Sequence, residues 1–107
     1  MKYLYYIKLY DDLDGEEWKE IKGFNGRYYI SNKGRVKSNF GGKERIKKLC
    51  YNSSGYQRVA LSINGERYRP LVHRLVAEYF VPNDDPLRKT TVDHIDGNKN
   101  RNIPENL

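Results

Sequence analysis

The sequence has a single cysteine, Cys50, in 107 residues. One thiol cannot form an internal disulfide and cannot supply a cysteine-rich zinc site. Hydrophobic residues make up only 37% of the chain, which permits a core of modest size. Lys2 and Lys8 interrupt the apolar N-terminal run and no small-residue cleavage site follows it, so we expect neither a signal peptide nor a membrane span. These absences predict a cytoplasmic protein without a membrane partner.

Positive charge is in excess, because 20 lysines and arginines face 14 aspartates and glutamates and leave a net charge of +6. Such an excess predicts a polyanionic partner, and we expect double-stranded DNA. A basic surface that is simply solvated would give the same composition. Composition leaves the target sequence, any protein partner and the oligomeric state open.

The first twenty residues predict a strand followed by a turn. Tyr, Leu and Ile are dense over residues 1–10, which is typical of a β-strand, here an edge strand of the main sheet. The run 11–17 is acidic and predicts a turn. Trp18 and Ile21 then provide anchors for an apolar cluster.

A second strand and a tight turn are predicted next. Residues 28–30 form a short strand-like run, and the Ser-Asn-Lys-Gly stretch at 31–34 has turn chemistry with a glycine for positive φ. If Arg35, Val36 and Lys37 alternate as in a strand, Val36 faces the core while Arg35 and Lys37 face outward. There they would contact backbone phosphates or be solvated.

The strongest hairpin signal is centred on Asn64-Gly65. Residues 56–63 alternate apolar with small or polar side chains, Asn-Gly favours a two-residue turn, and residues 66–69 form a return strand. Residues 72–80 then place apolar side chains at helical spacing, and the helix should end before Pro82. His73 lies near its start, where packing or capping is favoured over metal or phosphate binding.

Cations cluster in these strands and turns, where a sheet or two-stranded ribbon can present them to DNA. If about five of them contact phosphates, the logarithm of the affinity should fall with the logarithm of salt concentration with a slope of about −4 to −5. The candidate DNA-binding residues are Lys33, Arg35, Lys37, Arg45, Lys47, Lys48, Arg58, Arg67 and Arg69.

An adjacent carboxylate and imidazole, Asp93-His94, follow the strand-like run Thr90-Thr91-Val92. Phosphodiester hydrolysis needs a hard divalent cation on the phosphate and a base of near-neutral pKa for the attacking water. Asp93 suits the first role and His94 the second. Alone, such a pair is more often an unremarkable exposed pair.

The context of this pair resembles the HNH endonucleases of the phage and intron homing type. Residues 93–98, Asp-His-Ile-Asp-Gly-Asn, are followed by Glu-Asn-Leu at 105–107, and residues 16–38 resemble the NUMOD4 DNA-binding module found upstream of HNH motifs. The resemblance implies a ββα-metal (His-Me) finger with His94 as general base, Asp93 as ligand of Mg²⁺ or Mn²⁺, and Gly97, Asn98 and Asn106 as loop residues. It also implies a host-cell cytoplasmic location if a phage encodes the chain.

These features together predict an α+β fold with a small antiparallel sheet, one short helix and an incomplete ββα finger. We expect residues 1–55 to hold the N-terminal strand and the NUMOD4-like segment, and residues 56–107 the hairpin, helix and partial HNH motif, in one unit. In the HNH family a helix after the Glu-Asn-Leu stretch supplies a second metal ligand, and this sequence stops before it. Metal-dependent nicking of DNA is therefore expected to be weak or absent.

Two functions from different classes remain on this basis. One is a DNA endonuclease, or a fragment of one, and the other is a non-catalytic, phage-type regulator or inhibitor of a host nucleic-acid enzyme. Both are compatible with a basic scaffold.

Overall fold

A five-stranded sheet lies at the centre of the fold, as a computed structural model describing residues 7–81 and 102–104 shows. Its spatial order is β1-β5-β4-β3-β2. All neighbouring pairs are antiparallel except β1 and β5, which are parallel. The strands are β1 (Ile7–Lys8), β2 (Trp18–Glu20), β3 (Tyr28–Ser31), β4 (Val36–Phe40) and β5 (Lys43–Ile46).

The start of the described chain agrees with the sequence predictions of an edge strand and an acidic turn. Strand β1 lies at an edge of the sheet, next to β5. The acidic run that follows is irregular and includes a turn in which the Glu16 amide donates to the Leu13 carbonyl over 3.0 Å. Ile21 is 3% exposed and belongs to the core, as expected of an anchor of the apolar cluster, whereas Trp18, the other predicted anchor, is not part of that cluster.

The predicted turn between β3 and β4 is confirmed. The Gly34 amide donates to the Ser31 carbonyl over 3.2 Å, and Gly34 has a φ of +81°, a conformation that a residue with a Cβ rarely adopts. A second tight turn at Gly41-Gly42 leads from β4 directly into β5. Two turns of this kind fold residues 28–46 into a meander.

The Asn64-Gly65 hairpin is also present, between β8 (Leu61–Ile63) and β9 (Glu66–Tyr68). Both turn residues have positive φ, 51° and 80°, as a type I′ turn requires. The strand predicted at 56–63 is interrupted, however. Its first part, β7 (Gln57–Arg58), pairs with β6 (Cys50–Tyr51). Between β7 and β8, the Val59 amide donates to the Pro70 carbonyl.

One helix, α1 (Val72–Phe80), is present among the described residues and has the predicted bounds. It packs against β3 and β7 and buries Val72, Leu75 and Val76. None of the helical structure that the described chain contains is long and apolar enough to span a membrane. The core cluster joins residues from both sides of position 55: Ile21, Tyr28, Ile30, Val36, Val59, Leu61, Val72, Leu75 and Val76.

Candidate nucleic-acid interface

The nine predicted DNA-binding cations differ in how far they are exposed. Five are exposed, Arg35, Lys47 and Arg58 are half-buried, and Lys37 is buried. Since a phosphate contact needs a charged group that can leave its protein surroundings at little cost, these classes differ in what they can bind. The exposed ones are Lys33, Arg45, Lys48, Arg67 and Arg69.

Lys37 is enclosed on one face of the sheet, and the prediction that it faces outward is wrong. It is 7% exposed, and its ammonium donates to Glu44 Oε1 over 3.0 Å and to the Tyr10 hydroxyl over 2.8 Å. The rings of Trp18, Tyr29 and Tyr10 surround it, with their centroids 4.7, 5.2 and 5.3 Å from Nζ. Burial and the neighbouring Glu44 carboxylate raise the pKa of Tyr10 to about 12, so its hydroxyl stays protonated.

Arg35 is held by Glu16 on the same side of the structure. Its Nε donates to Glu16 Oε2 over 2.9 Å and its Nη2 to Oε1 over 2.5 Å, and Nη2 also donates to the Asp11 carbonyl. The Glu16 side chain is fully buried. Burial opposes its ionisation, but hydrogen bonds from Arg35 and the Leu13 amide outweigh that effect and hold the pKa of Glu16 below its ordinary value. A phosphate would have to displace this carboxylate to reach Arg35.

The opposite face of the sheet carries cations that form no ion pair with any carboxylate in the described part of the chain. Lys43 pairs with Phe40 and Arg45 with Ser38, and Ser38 in turn pairs with Tyr28, so these side chains share the face on which the core lies. The Lys47 amide donates to the Val36 carbonyl, which continues the same pairing by one residue. We call Lys43, Arg45 and Lys47 the β5 basic strip.

An aromatic seam, consisting of Phe40, Tyr28, Phe24 and Tyr68, connects this strip with the β8–β9 hairpin. Neighbouring rings in it meet edge to face, with centroids 5.4 to 5.9 Å apart. Phe40 and Tyr68, at its two ends, are 47% and 44% exposed. Cations lie over the seam, since Lys47 Nζ is 5.5 Å from the Tyr28 centroid and Arg27 Cζ is 5.5 Å from that of Phe40.

The hairpin presents Arg67 and Arg69 to solvent, as predicted. Tyr68 pairs with Leu61 and shares its face, so Arg67, which pairs with Ser62, projects on the other face. Arg58 is closer to the body, where its Nε donates to the Arg69 carbonyl over 3.3 Å. The hairpin therefore contributes Tyr68 to the aromatic seam and presents Arg67 on its other face.

The predicted catalytic and loop residues, Asp93, His94, Gly97, Asn98 and Asn106, lie outside the described residues, as does the predicted finger. Within residues 7–81 and 102–104, no group of three His, Cys, Asp or Glu side chains could hold a metal ion. His73 is 4% exposed and its ring lies 5.1 Å from that of Tyr56, which confirms the preference for a packing role.

Sequence reasoning missed two contributions to this arrangement. The first is the enclosure of Lys37, which depends on Tyr10, Glu44 and the register between β4 and β5. The second is Asn102, whose Nδ2 donates to Gln57 Oε1 over 2.6 Å. Neither has a local signal, because the partners are separated by up to 45 residues.

Residues 16–62 match the NUMOD4 motif. The chain is 41% identical over 91 residues to DNA endonuclease I-HmuI from Bacillus phage SP01, covering 85% of this chain and 50% of that protein. It is 41% identical over 95 residues to the uncharacterized HNH endonuclease L247 of Acanthamoeba polyphaga mimivirus, covering 86% of this chain and 23% of the relative.

A solved structure shares the fold. The structure describing DNA binding and cleavage by the HNH homing endonuclease I-HmuI superposes with a TM-score of 0.72 at 40% identity, covering 84% of this chain and 49% of that one. The present chain thus spans about half the length of I-HmuI and about a quarter of the mimivirus protein.

Proposed function

Since this chain belongs to the NUMOD4-containing HNH homing endonuclease family, we propose that its described body binds double-stranded DNA, mainly through the phosphate backbone. The observation that carries the proposal is the β5 basic strip. It lies within the NUMOD4 match, its cations face away from the carboxylates that hold Arg35 and Lys37, and it borders an aromatic seam with two exposed rings. I-HmuI, which shares the fold, is described as binding and cleaving DNA.

The proposed contacts omit two of the nine sequence candidates, Arg35 and Lys37, and add Lys43. Arg35 and Lys37 serve the fold, because each is held by a carboxylate. Phosphates are contacted from the strip, from the turn after β3 and from the hairpin. About five contacts are expected, and the residues that can supply them are Lys33, Lys43, Arg45, Lys47, Lys48, Arg58, Arg67 and Arg69.

We further propose that Asp93 and His94 take part in hydrolysis of a DNA phosphodiester. A carboxylate is the type of ligand that Mg²⁺ or Mn²⁺ takes, and such an ion neutralises charge on the scissile phosphate when it is bound. The His94 imidazole accepts the proton of the attacking water, and Gly97, Asn98 and Asn106 support the loop. The core, formed from both sides of position 55, supports one unit in which residues 1–55 and 56–107 fold together.

Binding is tested by fluorescence anisotropy on duplex DNA over a range of salt concentrations. About five phosphate contacts give a plot of log affinity against log salt with a slope of about −4 to −5. Duplexes of unrelated sequence should give similar slopes, because phosphates carry the contact. Absence of binding at low salt would overturn the proposal.

Cleavage is tested separately with supercoiled plasmid in the presence of Mg²⁺ or Mn²⁺. We expect slow nicking that is abolished by His94→Ala and by EDTA. Nicking that survives His94→Ala would show that His94 is not the general base. DNA binding without any nicking in either metal would favour the non-catalytic binder over the nuclease.

A further inference from the structure

Asn102 occupies a built site on the body of the protein. It is 3% exposed, and its side-chain amide donates to Gln57 Oε1 on β7 over 2.6 Å. Its backbone lies against the turn after β3, so close that a Cβ built on Gly34 would be 2.7 Å from the Asn102 carbonyl oxygen and 3.1 Å from its Cβ. Only glycine at position 34 permits this approach.

The turn that receives Asn102 is held from within. The Ser31 hydroxyl is buried and accepts hydrogen bonds from the Lys33 amide over 3.0 Å and the Arg35 amide over 3.1 Å. The Arg35 side chain is in turn fixed by Glu16. The surface that Gly34 offers is therefore preformed, and docking of Asn102 does not have to order it.

Two anchors bracket the segment that carries Asp93 and His94. Before it, α1 packs against β3 and β7 and ends at Phe80. After it, Asn102, eight residues beyond His94 in the sequence, contacts the turn after β3 and β7 itself. The described residues before and after this segment thus contact the same part of the body, which is β7 and the region of β3 and its turn.

We propose that Gly34 and Gln57 are positioning residues for this segment. Through Asn102 they hold the chain that carries Asp93-His94 against the DNA-binding body. Gly34 and Gln57 both lie in the NUMOD4 segment, which would therefore be a scaffold for the nuclease segment as well as a DNA-binding element. The contact itself stands on geometry, and its purpose rests on the proposed function.

The first test compares Gly34→Ala with Gly65→Ala in the full chain. Both glycines have nearly equal φ, +81° and +80°, but a Cβ at position 65 meets nothing within 4 Å. The pair therefore separates backbone strain from the clash with Asn102. We expect trypsin to cleave the Arg101–Asn102 bond about tenfold faster in Gly34→Ala than in Gly65→Ala, because cleavage requires the contact to open. Equal rates would overturn the proposal.

A second set of variants leaves the turn intact. Gln57→Leu and Asn102→Leu each remove the side-chain hydrogen bond and should accelerate cleavage of the same bond, whereas Gln57→Glu keeps an acceptor oxygen and should restore slow cleavage. Gln57→Leu that cleaves at the wild-type rate would contradict the role of Gln57. Urea unfolding of each variant measures its free energy of unfolding. Faster cleavage without a lower free energy of unfolding comes from local opening of the contact and not from global unfolding.

DNA binding and nicking distinguish this proposal from the proposed function. Gln57→Leu and Asn102→Leu should keep DNA affinity within about twofold of wild type, since neither changes the charge of the protein or the turn that carries Lys33. Where nicking is measurable, they should lower kcat with KM for DNA unchanged. A chain that binds no DNA would overturn the proposed function. The proteolysis result would still show whether Gly34 and Gln57 hold Asn102.

Discussion

The two faces of the five-stranded sheet both carry cations, and they use them differently. On one face Lys37 is enclosed by Glu44 and three aromatic rings, and Arg35 is held nearby by Glu16. On the other, Arg45 on the neighbouring strand is exposed beside the aromatic seam. The difference shows that a basic strand does not define a nucleic-acid surface by itself. Whether a carboxylate from another segment reaches the cation decides its role.

The largest expected effect is on stability, when the enclosed pair is broken. Lys37→Met leaves Glu44 buried without its cation and should lower the free energy of unfolding by about 3–5 kcal/mol. Urea denaturation measures the loss. Lys8→Met, at an exposed lysine of the edge strand, is the control and should change stability by less than about 1 kcal/mol.

The double variant Lys37→Met/Glu44→Leu completes this test. It removes both charges and should recover part of the loss, because no buried charge is left without a partner. If Lys37→Met left the protein stable but weakened DNA binding, Lys37 would belong to the interface and the assignment of the two faces would be wrong.

A smaller effect is expected on DNA affinity when the strip is changed. Arg45→Gln/Lys47→Gln should reduce the magnitude of the salt slope by about 1.8 and weaken binding about 30-fold at 0.15 M salt, if both cations contact phosphates. Lys8→Gln/Lys22→Gln removes the same charge from exposed positions elsewhere. A salt slope reduced equally in the two variants would show that net charge, and not the strip, governs binding.

The smallest effect concerns Glu16 and its dependence on pH. Because the folded pKa of Glu16 lies below its ordinary value of 4.5, the ionised carboxylate stabilises the fold above that pH, and this stabilisation is lost as pH falls through the folded pKa. Glu16→Gln should cost about 1–2 kcal/mol at pH 7. Its unfolding free energy should also fall less steeply than that of wild type below pH 4.5, and an unchanged pH profile would contradict the role of the pair.

The sequence predicted the elements whose signals are local. The Asn64-Gly65 turn, the turn at 31–34 and the helix at 72–80 each depend on neighbouring residues, and all three were found. The interruption of the strand at position 59 was not predicted. The alternation of apolar and polar residues continues through this position, but the strand before it pairs with β6 and the strand after it pairs with β9. Periodicity along one strand carries no information about which strand it pairs with.

The candidate site was less predictable for the same reason. Alternation placed Val36 in the core correctly, but it also placed Lys37 outside, since it could not show that residues 10–18 cover that face. The hydrogen bond between Asn102 and Gln57 joins residues 45 positions apart, and it uses side chains that are equally common in solvated loops. Such contacts follow from tertiary geometry alone.

The enclosure of Lys37 also affects how the chain reacts with chemical reagents. An amine-specific acylating reagent must reach the lysine nitrogen, and at Lys37 the approach is blocked by Glu44, Tyr10 and the surrounding rings. Lys43 and Lys48 offer no such obstruction, since both are exposed. In a timed labelling experiment analysed by mass spectrometry, Lys37 should acquire the label last and Lys43 early. Bound DNA should slow labelling of Lys43 and Lys48 and leave labelling of Lys37 unchanged.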